Sequence, residues 1–177
     1  RARITGIDTE ELDRRMKTGQ VPVVAGFQGL GSNKRITTLG RGGSDTSAVA
    51  LAAALSAERC DIHTDVDGIY TSDPRIVARA RKLHRVTYEE MLEMASQGAE
   101  VLDTRAVEIA MNHGVRLRVS SAFNDTPGTL VVDEGEIVEQ EVVSGIAYTR
   151  DVAKVTLVRV PDRPGVAAAI FGPLADT

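Results

Sequence analysis

An α/β fold organised on a mainly parallel sheet is what this sequence predicts, and three stretches carry the prediction. Val21-Pro22-Val23-Val24-Ala25 is a continuous apolar run, the pattern of a strand buried on both faces. Thr37-Thr38-Leu39-Gly40-Arg41-Gly42-Gly43-Ser44-Asp45 then passes through a glycine-rich turn into an alanine-rich helix, expected from about Asp45 to Ala57. That helix is apolar on most of its faces, so it should lie against a sheet. Cys60-Asp61-Ile62-His63-Thr64 is a second strand, which the chain leaves through the tight turn Asp65-Val66-Asp67-Gly68.

Composition bounds what such a fold can do. A chain of 177 residues has room for one domain and part of a second. Apolar residues make up 42% and aromatic residues 3%, with no tryptophan, so the core should be Val, Ile, Leu and Ala. A net charge of −4, without a basic cluster interleaved with aromatics, argues against a nucleic-acid partner. The single cysteine, Cys60, rules out an internal disulfide framework and reads as an inert, buried thiol in a reduced, cytoplasmic protein. No apolar run reaches the roughly 18 residues of a membrane span, and no signal peptide is evident.

The remaining elements follow in order. Residues 1–19 read as a lead-in and a helix with Asp8 as N-cap, Glu11 closing a capping box, and an Ile7–Leu12 staple. Starting without an initiator methionine, the chain reads as a partial piece. Gly26-Phe27-Gln28-Gly29 follows the first strand, and ligands of open α/β sheets bind beyond such strand ends. Phe27 therefore reads either as a substrate contact or as a loop-packing aromatic. Residues 30–36 suit a hairpin or flap. His63 has no histidine partner at metal-ligand spacing and reads as structural. Thr87 should cap a helix with Glu90 completing the box, and another helix should run from about Asp103 to Asn112. Val115 to Ser120 alternates apolar and polar residues, as an exposed or edge strand does. Thr129 to Val132 is a short closing strand, and the acidic stretch from Asp133 is a linker. Beyond it, Val143–Thr149 and Ala153–Val160 read as strands, and Val166 to about Leu174 as a helix.

Two of these loops carry chemistry. Glycines let a backbone approach a ligand closely, and a helix N-terminus directs N–H groups and partial positive charge at an anion. Arg41, set among the glycines, can grip a carboxylate with two parallel hydrogen bonds. A bare G-x-G-G would be only a turn; the length of the surrounding pattern argues for more. In the second loop Asp65 and Asp67 can face a metal–nucleotide, or bond their own turn. Tyr70 offers a flat face and a hydroxyl, and Arg75 a fork for phosphate.

The stretch T-L-G-R-G-G-S-D at Thr38–Asp45 resembles the substrate-binding signature of aspartate kinases, in the amino acid kinase superfamily. Thr64 to Arg75 (T-D-V-D-G-I-Y-T-S-D-P-R) resembles the same family's nucleotide signature, in the same order and at about the same spacing. The likeness continues through Gly128-Thr129-Leu130 into a C-terminal piece similar to the start of an ACT regulatory domain. It implies an αβα sandwich with a mainly parallel sheet, here its C-terminal part, over residues 1–132. A linker over 133–141 and a partial ACT domain over 142–177 would follow.

The implied activity is ATP-dependent phosphorylation of the L-aspartate β-carboxylate, the first step towards lysine, threonine and methionine. Phe27, Arg41, Ser44 and Asp45 would serve the substrate, with Asp45 catalytic. Thr64, Asp65, Tyr70 and Arg75 would bind ATP, which would bring its Mg2+; no protein metal site is implied. Asp162, Pro164 and Gly165 would face an amino-acid effector, lysine or threonine, in a homo-oligomer. Two features depart from the family. Its K-F-G-G-T loop with a catalytic lysine is not in the sequence, so this chain alone is expected to be inactive. Glu100 stands where the family has a phosphate-binding lysine, and Arg105 is the nearest candidate cation to compensate. The alternatives are a regulatory or assembly fragment without catalysis, or another kinase of the superfamily.

Overall fold

A computed structural model describes residues 2–99, 101–137, 145–149 and 165–166. Four strands form one sheet in the order β3–β5–β6–β4: β3 (Arg59–Thr64), β5 (Arg116–Ser121), β6 (Thr129–Val132) and β4 (Arg85–Thr87). β3 with β5 and β4 with β6 are parallel pairs, and only β5 with β6 is antiparallel. A separate antiparallel hairpin joins β1 (Gln28–Leu30) to β2 (Ile36–Thr38), the flap expected over 30–36.

One face of the sheet is apolar because the strands alternate. Cys60 and Ile62 on β3 stand beside Leu117 and Val119 on β5, and Val131 on β6 opposes Leu117. Against this face pack Val49 and Ala52 of α2 (Gly43–Ala54), Met91 and Met94 of α3 (Tyr88–Ser96), and Ala106, Val107 and Ala110 of α4 (Thr104–His113). On β3 and β5 the other face is polar, while β6 adds Leu130 and Val132 to it. Asp61 pairs with Arg118 at 2.5 Å, and His63 Nδ1 lies 3.1 Å from Ser120 Oγ, a structural use of that histidine. β5 is thus a central strand, correcting its reading as an edge. Its polar alternate residues meet polar residues of β3 rather than solvent alone.

Helix starts follow local chemistry where side chains can reach. Thr87 accepts from the Glu90 N–H while Glu90 accepts from the Thr87 N–H, the expected capping box. Asp103 caps α4, and Gly114 ends it in the left-handed conformation that glycine adopts without Cβ strain. At the first helix the expectation is corrected. α1 spans Glu10–Lys17 with Thr9 at the N-cap position and no bond from the Thr9 side chain, while Asp8 Oδ1, one residue earlier, accepts from the Glu10 N–H at 3.1 Å. Glu11 instead pairs with Arg14 and Arg15 one turn on, so no box forms.

Val21–Ala25 is also corrected. It forms no strand, and Val21 and Val23 are 88% and 97% exposed. An apolar run becomes a strand only beside another, and among the described residues none lies next to it. The strand expected over Val143–Thr149 is not formed in its described part. Residues 145–149 are irregular, with the Ile146 N–H donating to Thr71 O at 2.7 Å. Glu100, Asp162, Pro164, the 153–160 strand and nearly all of the final helix lie outside the described residues.

Candidate functional site

The glycine-rich stretch forms a loop over Leu39–Gly42 that opens directly into α2. Gly42 occupies the N-cap position at φ 71°, and no side chain caps the helix. Ser44 and Asp45 sit in its first turn rather than before it, and Arg41, which is exposed, stands beside that N-terminus. Gly42 has to be glycine: a Cβ there would fall 2.1 Å from Asp103 Oδ2. Phe27 adopts φ 69°, rare for a residue with a side chain. It is held by its N–H donating to Ser47 Oγ at 3.1 Å and by its carbonyl accepting from the Leu39 N–H at 2.9 Å. A Cβ added at Gly43 would meet the Phe27 ring at 2.9 Å, so the aromatic lies over the helix start. Phe27, Arg41, Ser44 and Asp45 are thereby drawn around one helix N-terminus.

Asp45 is the electrostatically unusual member. Partial burial raises its carboxyl above the ordinary range. The main-chain N–H of Asp103 pulls it back, while the Asp103 carboxylate pushes it further up. Beside the loop is a cavity of about 420 Å³, lined by Ser44, Ser47, Gly26, Leu39 and the lead-in from Ala2 to Ile7. Phe27, Arg41 and Asp45 stand outside its lining.

A second cavity of about 720 Å³ opens at the C-terminal end of β3. Asp65, Tyr70 and Arg75 line it, together with Asp73, Gly98, Ala99 and the segment Ile146–Thr149. Thr64 is not in the lining; its hydroxyl donates to Asp65 Oδ1 at 3.1 Å and orients that carboxylate. Asp67 accepts from Tyr70 Oη at 2.9 Å and from Lys82 Nζ at 3.1 Å. Burial alone would raise the Asp67 carboxyl, but these two donors hold it below its usual range. Asp67 is therefore a turn-holding residue, the local alternative of the two open from the sequence. Arg75 is clasped by Asp73 at 2.8 Å, which lowers the Asp73 carboxyl. Beneath the turn, Thr129 Oγ1 accepts from the Ile69 N–H at 2.8 Å and donates to Leu83 O at 2.6 Å. Among the described residues no group of three or more His, Cys, Asp or Glu side chains gathers at metal-binding range.

Sequence reasoning missed Lys82, Asp103 and the task of Arg105. The Arg105 guanidinium donates to Leu39 O and Ala2 O, each at 3.0 Å. It is committed to the glycine-rich loop and the lead-in rather than to the turn after β3. Cys60 is buried, and desolvation pushes its thiol up to about 11, which fits an inert role.

The profile of the amino acid kinase family matches residues 1–121. Among curated proteins, the aspartate kinase of Stutzerimonas stutzeri (strain A1501) is 57% identical over 176 residues, covering 99% of this chain and 43% of that protein. The chain thus spans less than half the length of the curated relatives it matches. Among solved structures, aspartate kinase from Synechocystis aligns with a TM-score of 0.62 at 48% identity, over 93% of this chain and 29% of that one. E. coli aspartokinase III, solved with aspartate and ADP, aligns with a TM-score of 0.58 at 45% identity, over 61% and 24% respectively.

Proposed function

Because this chain belongs to the amino acid kinase family, we propose that it is part of an aspartate kinase, transferring the γ-phosphoryl group of ATP to the β-carboxylate of L-aspartate. The observation that carries this reading is the uncapped N-terminus of α2 with Arg41 beside it, a site suited to a small dicarboxylate. Phe27, Arg41 and Ser44 bind aspartate, and Asp45 orients it. The product is 4-phospho-L-aspartate, and the reaction opens lysine, threonine and methionine synthesis.

The second cavity takes the nucleotide: Tyr70 and Arg75 contact it, and Asp65, set by Thr64, approaches the Mg2+ that the phosphates bring. Phosphoryl transfer proceeds by alignment and charge neutralisation, without a covalent enzyme intermediate. We read residues 1–132 as catalytic, 133–141 as linker and 142–177 as the start of an ACT domain, with Asp162, Pro164 and Gly165 towards a lysine or threonine effector. The whole protein acts as a cytoplasmic homo-oligomer.

Arg41→Ala in the whole protein tests the assignment. Losing a charge-assisted pair worth about 1.5–3 kcal/mol should raise the aspartate KM by about ten- to a hundredfold. The ATP KM should move by less than about twofold. An aspartate KM unchanged within about twofold would remove Arg41 from the substrate site.

A further inference from the structure

We propose that Arg105, on the first turn of α4, is a positioning residue that clamps the glycine-rich loop into its binding shape. Its guanidinium forks across two carbonyls that are far apart in sequence. Nη1 donates to Leu39 O and Nη2 to Ala2 O, both at 3.0 Å. Leu39 and Ala2 are both in the lining of the 420 Å³ cavity beside the loop. One side chain thus ties together two walls of that cavity, the lead-in segment and the loop that carries Arg41.

The same helical turn grips the loop at a second point. Asp103 caps α4 and accepts from Thr46 Oγ1 at 3.4 Å, and its carboxylate occupies the space that a side chain on Gly42 would need. The loop is therefore fixed in front of its glycines at Leu39 and behind them at Gly42 and Thr46. Glycines give this loop its close approach to a ligand, and the same glycines leave it floppy unless something outside it supplies order. Leu39 is bonded on both sides, its N–H to Phe27 O and its carbonyl to Arg105, so the clamp extends to Phe27. A lysine cannot reproduce it, because a single ammonium has no planar fork for two divergent carbonyls.

This inference rests on the aspartate kinase reading and deepens it, since it predicts which substrate feels the clamp. The nucleotide turn is anchored separately, through Thr129, and should not respond. The test is steady-state kinetics and thermal melting on the whole enzyme carrying Arg105→Ala, Arg105→Lys or Arg41→Ala. Arg105→Ala should raise the aspartate KM about tenfold through misplacement of the loop, with the ATP KM within about twofold. Arg105→Lys should recover part of the loss, to about threefold, by reaching one carbonyl. A folded Arg105→Ala enzyme with unchanged aspartate KM overturns the proposal. So does a parallel rise in both KM values, which would mark a general folding role. If Arg105→Ala does not fold, Arg105→Lys decides on the same split between the two substrates. An Arg41→Ala enzyme with unaltered aspartate KM would instead sink the underlying reading.

Discussion

The glycine-rich loop at Leu39–Gly42 takes its restraints from far along the chain, whereas the turn after β3 takes most of its own from nearby residues. Around the loop the fixing groups are Arg105, 66 residues from Leu39, and Asp103, 57 residues from Thr46. Around Asp67 and Asp73 they are Tyr70, Lys82 and Arg75, at most fifteen residues away. The first arrangement leaves the start of α2 without a side-chain cap bond, with the Phe27 ring over Gly43 and the Asp103 carboxylate against Gly42. The second fills its turn with charged pairs that leave Tyr70 and Arg75 at the cavity wall. A backbone-built anion cradle has to be held from behind, while a side-chain-built pocket can hold itself.

Thr129 is the exception on the nucleotide side, and removing it offers the largest effect. Thr129→Val keeps the shape but leaves the Ile69 N–H and Leu83 carbonyl without their partner. Two unsatisfied groups cost about 2–4 kcal/mol, measurable by chemical denaturation, and the ATP KM should rise while the aspartate KM holds. A loss below about 1 kcal/mol would mean that the local pairs suffice. A smaller effect is expected at Lys82. Its bridge to Asp67 is partly exposed, with side chains 23% and 31% accessible, and such pairs contribute at most about 1 kcal/mol. Lys82→Met should therefore raise the ATP KM by up to about fivefold and leave the melting temperature nearly unchanged. A larger drop in stability would show that Lys82 acts by packing on Gly68 rather than by charge.

This contrast also explains what the sequence made legible. The Thr87–Glu90 capping box and the turn at Asp65–Gly68 were readable because each is closed by chemistry within a few residues. Arg105 was visible only as a nearby cation, since its acceptors lie 66 and 103 residues away. β4 was missed because three residues, Arg85–Thr87, become a strand only through β6. β5 was misread because alternation reports two unlike faces without saying what covers the polar one. Val21–Ala25 failed in the opposite sense: its hydropathy predicts burial, and burial needs a neighbour that the described residues do not supply. Of the eight loop positions assigned to substrate and nucleotide, motif resemblance located the loops. It did not say that the Thr64 hydroxyl donates to Asp65 or that Arg75 is clasped by Asp73.

Asp45 and Asp67 differ in the sign of their response to pH, the smallest effect expected. Burial raises the Asp45 carboxyl above its ordinary 3.8, and the neighbouring Asp103 carboxylate adds to this. For a carboxyl raised in the folded state, the protonated form is favoured by folding. Its stabilising contribution is complete below 3.8 and is lost as pH rises through the folded value. At neutral pH the ionised Asp45 is therefore a cost to the fold. Asp67 runs the other way: donors from Lys82 and Tyr70 hold it low, so its contribution is present above 3.8 and disappears as pH falls through the folded value. Asp45→Asn should accordingly melt above the unaltered enzyme at pH 7 and match it below pH 3.8, and under the proposed role of its carboxylate it should also lose activity. Asp67→Asn should melt below the unaltered enzyme at pH 7, with the gap closing in acid. Thermal melts of both variants between about pH 3 and pH 7 decide the matter. If Asp45→Asn is destabilised at neutral pH, or its gain persists unchanged in acid, then the charge of Asp45 is not what the folded protein bears at the mouth of α2.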